Sequence, residues 1–355
     1  MTFCAAPFVH MVQNPDGQFR TCCMYEKPLE GKYANIEEAF DSEENNIIRQ
    51  RMLSGEKLPE CIKCDIDEMH EGKVKKSYRG EFNRLYGEFV KDPKFKFLEI
   101  SVSNKCNFKC IDCGPRFSNQ FGPTIENELP SEENFEDVVS LKILGGEPFL
   151  DKRNIKLLEM VPRHQIDLMI ITNNSIFPNN YVLDLLADFK LVNLNISIDG
   201  IGKIAEYVRY GTTWSRFERH WYKWLDWINM DKHTRYFCPH FVLHSLNAPF
   251  FDDTIKWSNI PIMDWSWDFL YTPKWLNVSY LPDHIKEYIL EKNKNVKEPL
   301  EKFLYSNKFD KKIFKQLLNQ TVYNEIGTGE DIRIVDNVPD VMDDYIDLFY
   351  RNLKL

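Results

Sequence analysis

An α/β fold built on a parallel sheet is predicted by three observations: six strand-length apolar segments, helical periodicity between most of them, and unusual residues gathered where the strands end. The strand candidates are KFLEISVSN (96–104), SLKILGGE (140–147), DLMIITNNS (167–175), VNLNISIDG (192–200), RYFCPHFVLHS (235–245) and WSWDFLYTP (265–273). Intervening stretches such as NIKLLEMV and NYVLDLLADF place apolar residues three and four apart, the period of a helix with one buried face. Strands that are apolar nearly throughout and separated by helices indicate a parallel sheet covered on its outer face. Six such units in succession make a partial (β/α)6 TIM-like barrel, whose functional residues belong on the loops after the strands. Cys106 follows the first strand, Gly145-Gly146-Glu147-Pro148 ends the second, Asn173-Asn174 the third and Asp199-Gly200 the fourth, and Asn247 follows the fifth.

On this reading residues 96–282 are the barrel. Residues 1–75 differ: short strands, a PDG turn at 15–17, the helical stretch NIEEAFDSEENNIIRQRML and five of the nine cysteines, which suggest a small metal-stapled domain. SYRGEFNRLYGEFV within 76–95 reads as a helical linker, and 283–355 as a Lys-rich helical extension with solvated amphipathic helices.

Among 355 residues, 43% are apolar and 14% aromatic, enough to fill a sizeable core. No apolar run reaches the roughly 18 residues of a membrane span, and MTFCAAPFVHMVQ lacks the form of a signal peptide, so a cytoplasmic protein without membrane partners is expected. A net charge of -9 disfavours nonspecific nucleic-acid binding, which needs clustered Lys and Arg.

The cysteines are Cys4, Cys22, Cys23, Cys61, Cys64, Cys106, Cys110, Cys113 and Cys238. Their odd number without an export signal disfavours a disulfide framework, and their grouping favours metal. Zinc sites usually close with two C-x2-C pairs or with a pair and two His. The loop CNFKCIDC holds three thiols at C-x3-C-x2-C spacing with no fourth ligand nearby in sequence. A cubane iron-sulfur cluster held by three thiolates leaves one iron open.

The order of these motifs, CNFKCIDC, then GGEP, then TNNS and SIDG, resembles the radical S-adenosylmethionine (radical SAM) superfamily over residues 96 to about 280. The resemblance implies a 4Fe-4S cluster on Cys106, Cys110 and Cys113, whose open iron is chelated by S-adenosylmethionine. Gly145 and Gly146 would then let the backbone approach the methionine moiety, and Glu147 would accept from its ammonium. Asn173 belongs to the same cofactor-facing set. Ser197 and Asp199 correspond to carboxylate or ribose contacts, Arg209 to the arginine that pairs with the cofactor carboxylate, and Asn247 to a ribose or adenine contact. Asp112 departs from the pattern of that superfamily, in which the residue before the third cysteine is often aromatic or large and apolar and packs near the adenine.

Residues 1–75 are similar to the twitch or SPASM auxiliary-cluster domains of that superfamily, here preceding the barrel. Cys4, Cys22, Cys61 and Cys64 are the implied ligands of a second 4Fe-4S cluster, with Cys23 an alternative to Cys22 and structural zinc the competing metal. Glu68, Ser77 and Arg79 fit the same group less specifically. The resemblance implies reductive cleavage of S-adenosylmethionine to a 5′-deoxyadenosyl radical that abstracts hydrogen from a peptide or protein. An alternative substrate is a sugar or nucleotide-linked small molecule, and a noncatalytic zinc-stapled interaction protein is the third reading. A flavodoxin- or ferredoxin-like electron donor is the implied partner. Cys238, inside a strand, reads as a small buried hydrophobe, and the Trp-rich stretches WYKWLDW and WSNIPIMDWSWDF read as core.

Overall fold

The computed structural model describes residues 2–69, 77–319 and 340–350. The parts of the expected N-terminal domain, linker and C-terminal extension that fall on residues 70–76, 320–339 and 351–355 lie outside the described residues. The chain divides into two compact units: Met1–Asn107, Gly114–Asn195 and Lys223–Phe237 form the first, and Phe108–Cys113, Ile196–Tyr222 and Cys238–Leu355 the second.

In the first unit, β1 (His10–Gln13) and β2 (Phe19–Arg20) form an antiparallel hairpin with Val12 opposite Arg20. Its turn closes by Gly17 N donating to Asn14 O at 3.0 Å, with Gly17 at φ +76°, as the PDG signal anticipates. β1 also pairs in parallel with β3 (Phe97–Ile100), so the hairpin extends the sheet. β3 continues in parallel to β5 (Ser140–Ile143) and β5 to β6 (Asp167–Thr172), with β7 (Leu191–Ser197) next in order. β4 (Lys109–Cys110) lies in the second unit, as do β8 (Arg209–Tyr210) and β10 (Ser266–Phe269). There β4 pairs antiparallel with β8, and β10 in parallel with β9 (Arg235–Leu243).

All six expected strands exist, each shorter than its apolar pattern at the C-terminal end. On one face Leu98, Ile100, Leu141, Ile143, Leu168 and Ile170 are all buried. The other is not apolar throughout, as the sequence reading had it. Glu99 of β3 faces Lys142 of β5 across the ladder, and both are buried. Their ion pair, Nζ to Oε2 at 3.0 Å, satisfies two charges that burial alone would penalise.

The expected helix over 35–53 is two helices, α1 (Ile36–Phe40) and α2 (Glu43–Leu53). Asn35 and Ser42 supply separate N-caps, their side chains accepting from Glu38 N at 2.8 Å and Asn45 N at 3.2 Å. α3 (Ile62–Met69) carries Cys64, and α4 (Tyr78–Tyr86) forms most of the expected linker. α5 (Lys152–Met160) and α6 (Asn180–Ala187) follow β5 and β6, capped by Asp151 and Asn179. α7 (Gly202–Val208) and α8 (Trp214–Asn229) follow β7, and α9 (Phe251–Ser258) follows β9. Trp221 and Trp224 of α8 are almost fully buried, at 1% and 0% exposure, so WYKWLDW is core. After β10 come α10 (Asp283–Lys292), α11 (Lys297–Leu304), α12 (Lys311–Asn319) and α13 (Asp343–Tyr350). Their apolar faces are buried, but Lys286 is buried too and donates to Asn307 O at 3.1 Å, an exception to solvated lysines. No helix among the described residues is long and apolar enough to cross a membrane.

Candidate functional site

The loop Cys106–Cys113 passes from one unit to the other, so its two ends are described separately. At the first end, the two glycines of GGEP pack against the residues before Cys106. Gly145 and Gly146 have φ +83° and +56°, the region that favours glycine. A Cβ on Gly145 would fall 2.4 Å from Ser101 Cβ, and one on Gly146 would fall 2.0 Å from Lys105 O. The close approach that demands glycine here is thus to the chain's own first-strand loop. Glu147 N then donates to Lys105 O at 2.7 Å.

Glu147 is fully buried. Its Oε1 accepts from Thr172 Oγ1 at 2.7 Å and Phe149 N at 3.2 Å, and its Oε2 from Asn173 N at 2.7 Å. The carboxylate ties the end of β6 to the end of β5. Asn173 Nδ2 in turn lies 3.7 Å from Cys106 Sγ and donates to Asn107 Oδ1 at 3.2 Å, and Ser175 Oγ bonds the same oxygen at 3.1 Å. Cys106 N donates to Asn119 Oδ1 at 3.1 Å, and Gln120 Nε2 to Cys106 O at 3.0 Å. Cys106 is held by side chains from two other segments of the same unit, 119–120 and Asn173, and Asn107, Thr172, Asn119 and Gln120 are members the sequence reading missed. Of these, only Thr172 and Asn107 carried a signal, as polar neighbours of the TNNS and cysteine motifs.

At the second end, Cys113 N donates to Cys110 O at 3.1 Å, and Ile111 N to Val208 O at 2.9 Å, which fastens the loop beside Arg209. Arg209 Nη1 donates to Asp199 Oδ2 at 2.5 Å. Burial works against the guanidinium's charge, yet the Cys110 thiol and the carboxylates of Asp199 and Asp112 hold it firmly protonated. Asp112 is the counterpart: burial first, then the charge of Asp199, push its carboxyl up to about 6 against the pull of Arg209. The residue that departs from the apolar pattern therefore belongs to a Cys110, Asp112, Asp199 and Arg209 charge cluster.

Asp199 Oδ1 also accepts from Val242 N at 2.8 Å. Asn247 is buried, donating to Asp199 O at 3.2 Å and Val242 O at 2.9 Å and accepting from His244 N at 2.8 Å, so its amide is engaged by the protein. Ser197 ends β7, half-buried. Cys238 is half-buried, not fully, and shares the face of β9 opposite buried Phe241 and Leu243; burial raises its thiol.

Cys4, Cys61 and Cys64 gather around Arg79. Burial pushes the Cys4 thiol up to about 12, with Cys64 and Cys61 adding to the rise and Arg79 opposing it. Cys64 rises to about 11, mainly by burial, and Arg79 again opposes. Arg79 is 2% exposed and pairs with Asp65 Oδ1 at 2.8 Å and Glu68 Oε2 at 2.9 Å, while Ser77 Oγ bonds Glu68 Oε1 at 3.1 Å. Three residues that the sequence offered only as a loose pattern thus form one network at the thiols. Cys22 is elsewhere in its contacts: its Sγ accepts from Met24 N at 3.4 Å and lies against Cys23, whose thiol faces Glu99 and Lys142. None of the nine cysteines is in a disulfide. Among the described residues no group of three or more His, Cys, Asp or Glu closes to metal-binding distances. The fit to a metal therefore rests on donor chemistry: three soft thiols in one short loop suit iron-sulfur ligation, and three around a buried guanidinium suit an anionic thiolate cluster.

No protein-family model matches the chain. The chain is 34% identical over 117 residues to a GTP 3′,8-cyclase of Campylobacter jejuni subsp. doylei, covering 30% of this chain and 36% of that protein. It is 32% identical over 141 residues to that of Campylobacter lari, covering 32% and 44%. The match thus spans less than half the length of these relatives. Among solved structures, anSMEcpe with bound AdoMet gives a TM-score of 0.43 at 17% identity, covering 61% of each chain. Streptococcus suis SuiB bound to precursor peptide SuiA gives 0.40 at 14% identity, covering 74% of this chain and 59% of that one.

Proposed function

We propose that this chain, a member of the radical SAM superfamily, uses a cluster on Cys106, Cys110 and Cys113 with S-adenosylmethionine to remove hydrogen from a nucleotide-linked small molecule. The observation that carries the proposal is the packing of GGEP against the residues just before Cys106, with Lys105 O taken by Glu147 N and Gly146 admitting no side chain. When bound, the cluster and S-adenosylmethionine supply one-electron cleavage of the cofactor and hydrogen-atom removal from the substrate.

The chain's own residues bind and orient. Glu147 ties the ends of β5 and β6 together; Gly145 and Gly146 would offer their backbone to the methionine moiety of the cofactor, and Glu147 would accept from its ammonium. Asn173 steadies the Cys106 sulfur through its side-chain amide. Arg209, held charged and aimed by Asp199, takes the cofactor carboxylate, and Ser197 and Asn247 shape the ribose side. Residues 1–75 act as the auxiliary-cluster module, with Cys4, Cys61 and Cys64 and one of Cys22 or Cys23 as ligands, and residues 96–282 as the partial barrel. A flavodoxin- or ferredoxin-like protein supplies electrons.

The substrate class is favoured by relatives named for a GTP reaction. The peptide reading rests on the resemblance of the N-terminal cysteines to auxiliary-cluster domains. The test is anaerobic reconstitution and an assay of 5′-deoxyadenosine from S-adenosylmethionine under dithionite. Formation that disappears when Cys106, Cys110 and Cys113 are all changed to Ala supports the proposal; no formation in iron-loaded protein refutes it.

A further inference from the structure

At the opposite end of the sheet from GGEP, the first unit holds a half-enclosed cavity of about 190 Å³ between α4 and the strands. Tyr78, Phe82, Leu85 and Tyr86 of α4 line one side of it, and Phe97, Ser140, Lys142 and Met169 the other. In the ladder Phe97 stands opposite Ser140, and Lys142 opposite Met169, so these four share the face away from Leu98, Leu141 and Leu168. Phe97 and Ser140 begin their strands, whereas GGEP and TNNS follow strand ends. The cavity is therefore distinct from the site proposed for the cofactor. Its aromatic walls are braced from behind. His10 is fully buried, and its ring packs against Phe82 at 5.1 Å and Phe97 at 4.4 Å, which lie 5.8 Å from each other. Both phenyl rings thus hold their places with or without a ligand.

Lys142 supplies the polar half of the cavity. It is 7% exposed, and an ammonium carries three N–H donors. Among the described residues it makes one hydrogen bond, to Glu99 Oε2 at 3.0 Å, and lies 5.9 Å from the centre of the Tyr78 ring. Two donors of a buried cation are left without an acceptor at a cavity that the same side chain lines, and an unmet buried donor is costly.

Size, shape and charge narrow what fits. A cavity of about 150 Å³ takes a benzene molecule, so this one has room for a single substituted ring. Phe82, Tyr86 and Phe97 offer ring faces and edges to stack against. The charge of Lys142 is already matched by Glu99, and Glu81, which also lines the cavity, is exposed. A carboxylate ligand would bring a further negative charge beside these two acids, whereas a neutral carbonyl oxygen supplies the missing acceptor without charge.

We propose that this cavity is a binding site for a small planar aromatic ring bearing a neutral carbonyl group, as in an aromatic amide, with the carbonyl oxygen accepting from Lys142 and the ring held between α4 and the starts of β3 and β5. The inference goes beyond the proposed function and does not depend on it.

The test is a ligand-observed NMR titration of anaerobically purified full-length protein with benzamide, benzoate and toluene, which share a ring and differ in its substituent. Wild type is compared with Leu85→Trp and with the double variant Glu99→Gln, Lys142→Met. Benzamide binding about tenfold tighter than benzoate or toluene supports the site, as does a loss of about tenfold or more in the double variant, which removes both charges together so that neither is left buried alone. Leu85 is exposed on the cavity's rim, so Leu85→Trp should fill the space and abolish benzamide binding while leaving the fold intact. No benzamide binding to wild type overturns the proposal and leaves a cavity that holds only water. Benzoate binding as tightly as benzamide overturns it too, as does benzamide binding untouched by Leu85→Trp. Should the double variant unfold, seen as a lost thermal transition, the order of the three probes in wild type and the effect of Leu85→Trp still decide. None of these readouts needs a cluster, so failure here leaves the radical chemistry standing, and failure to form 5′-deoxyadenosine leaves this site standing.

Discussion

At the scale of single residues, two glycines with similar backbone angles stand in opposite surroundings. Gly17 has φ +76° and nothing within 4 Å of where a Cβ would be; Gly146 has φ +56° and backbone atoms of Lys105 from 2.0 to 2.9 Å away. Gly17→Ala pays only for the left-handed backbone, about 1 kcal/mol. Gly146→Ala adds a clash with atoms that cannot rotate aside, so a loss of about 3 kcal/mol or more is expected. Urea denaturation of the two variants measures the difference, and equal losses would show that the Lys105 loop yields freely. The GGEP motif was legible in the sequence, but its physical reason was not. A string of residues shows that glycine is present, whereas the atoms it must pass, those of Ser101 and Lys105, come from the loop after β3, some forty residues earlier. The same applies to Arg79, which sits with Cys4 only after folding.

At the scale of elements, α5 illustrates how a strand-to-helix junction near the site is fixed by one charge. Asp151 caps the helix, accepting from Arg153 N at 3.0 Å, and its Oδ2 takes Ser103 Oγ at 2.6 Å and Arg153 Nη2 at 2.8 Å. Burial alone would raise this carboxyl, but the bonds from Arg153 and Ser103 bring it down to about 2. Since the folded value lies below the unfolded one, near 3.9, the contribution is complete above about pH 4 and fades as pH falls through about 2. Asp151→Asn keeps a good cap and removes the charge. It is expected to cost about 2 kcal/mol at pH 7, and the gap from wild type should close towards pH 2; denaturation curves at several pH values follow it. The six strands and these helices were legible because their periodicity is local. Strand ends were read too long because their last residues bond to side chains of other loops, as Asn173 N does to Glu147. The pairing of β1 with β3 left no local trace at all, since it joins residues nearly ninety positions apart.

At the scale of the whole molecule, the cysteines fall into two sets whose surroundings differ in charge, and this bears on how much metal the chain holds. The Cys4, Cys61 and Cys64 thiols share one buried cation, Arg79, whose own partners Asp65 and Glu68 anchor it in place. The Cys110 thiol has Arg209, held by Asp199. Each set thus has a buried guanidinium of its own beside its thiols, and each is expected to fill without help from the other. Two four-iron clusters then give about eight irons per chain after anaerobic reconstitution. Changing Cys106, Cys110 and Cys113 to Ala should leave about four and end cofactor cleavage. Changing Cys4, Cys61 and Cys64 to Ala should also leave about four but spare cleavage, because the open iron belongs to the other set. Single substitutions of Cys22 and Cys23 then assign the fourth ligand, since only the true ligand's loss lowers the iron content. About four irons with zinc in the wild type would instead make the N-terminal set a structural staple. Iron and zinc analysis beside the 5′-deoxyadenosine assay reads all of these variants on one scale. The outcome that would break the two-set argument is a single triple variant that loses all of its iron, for that would mean one set cannot be filled unless the other is.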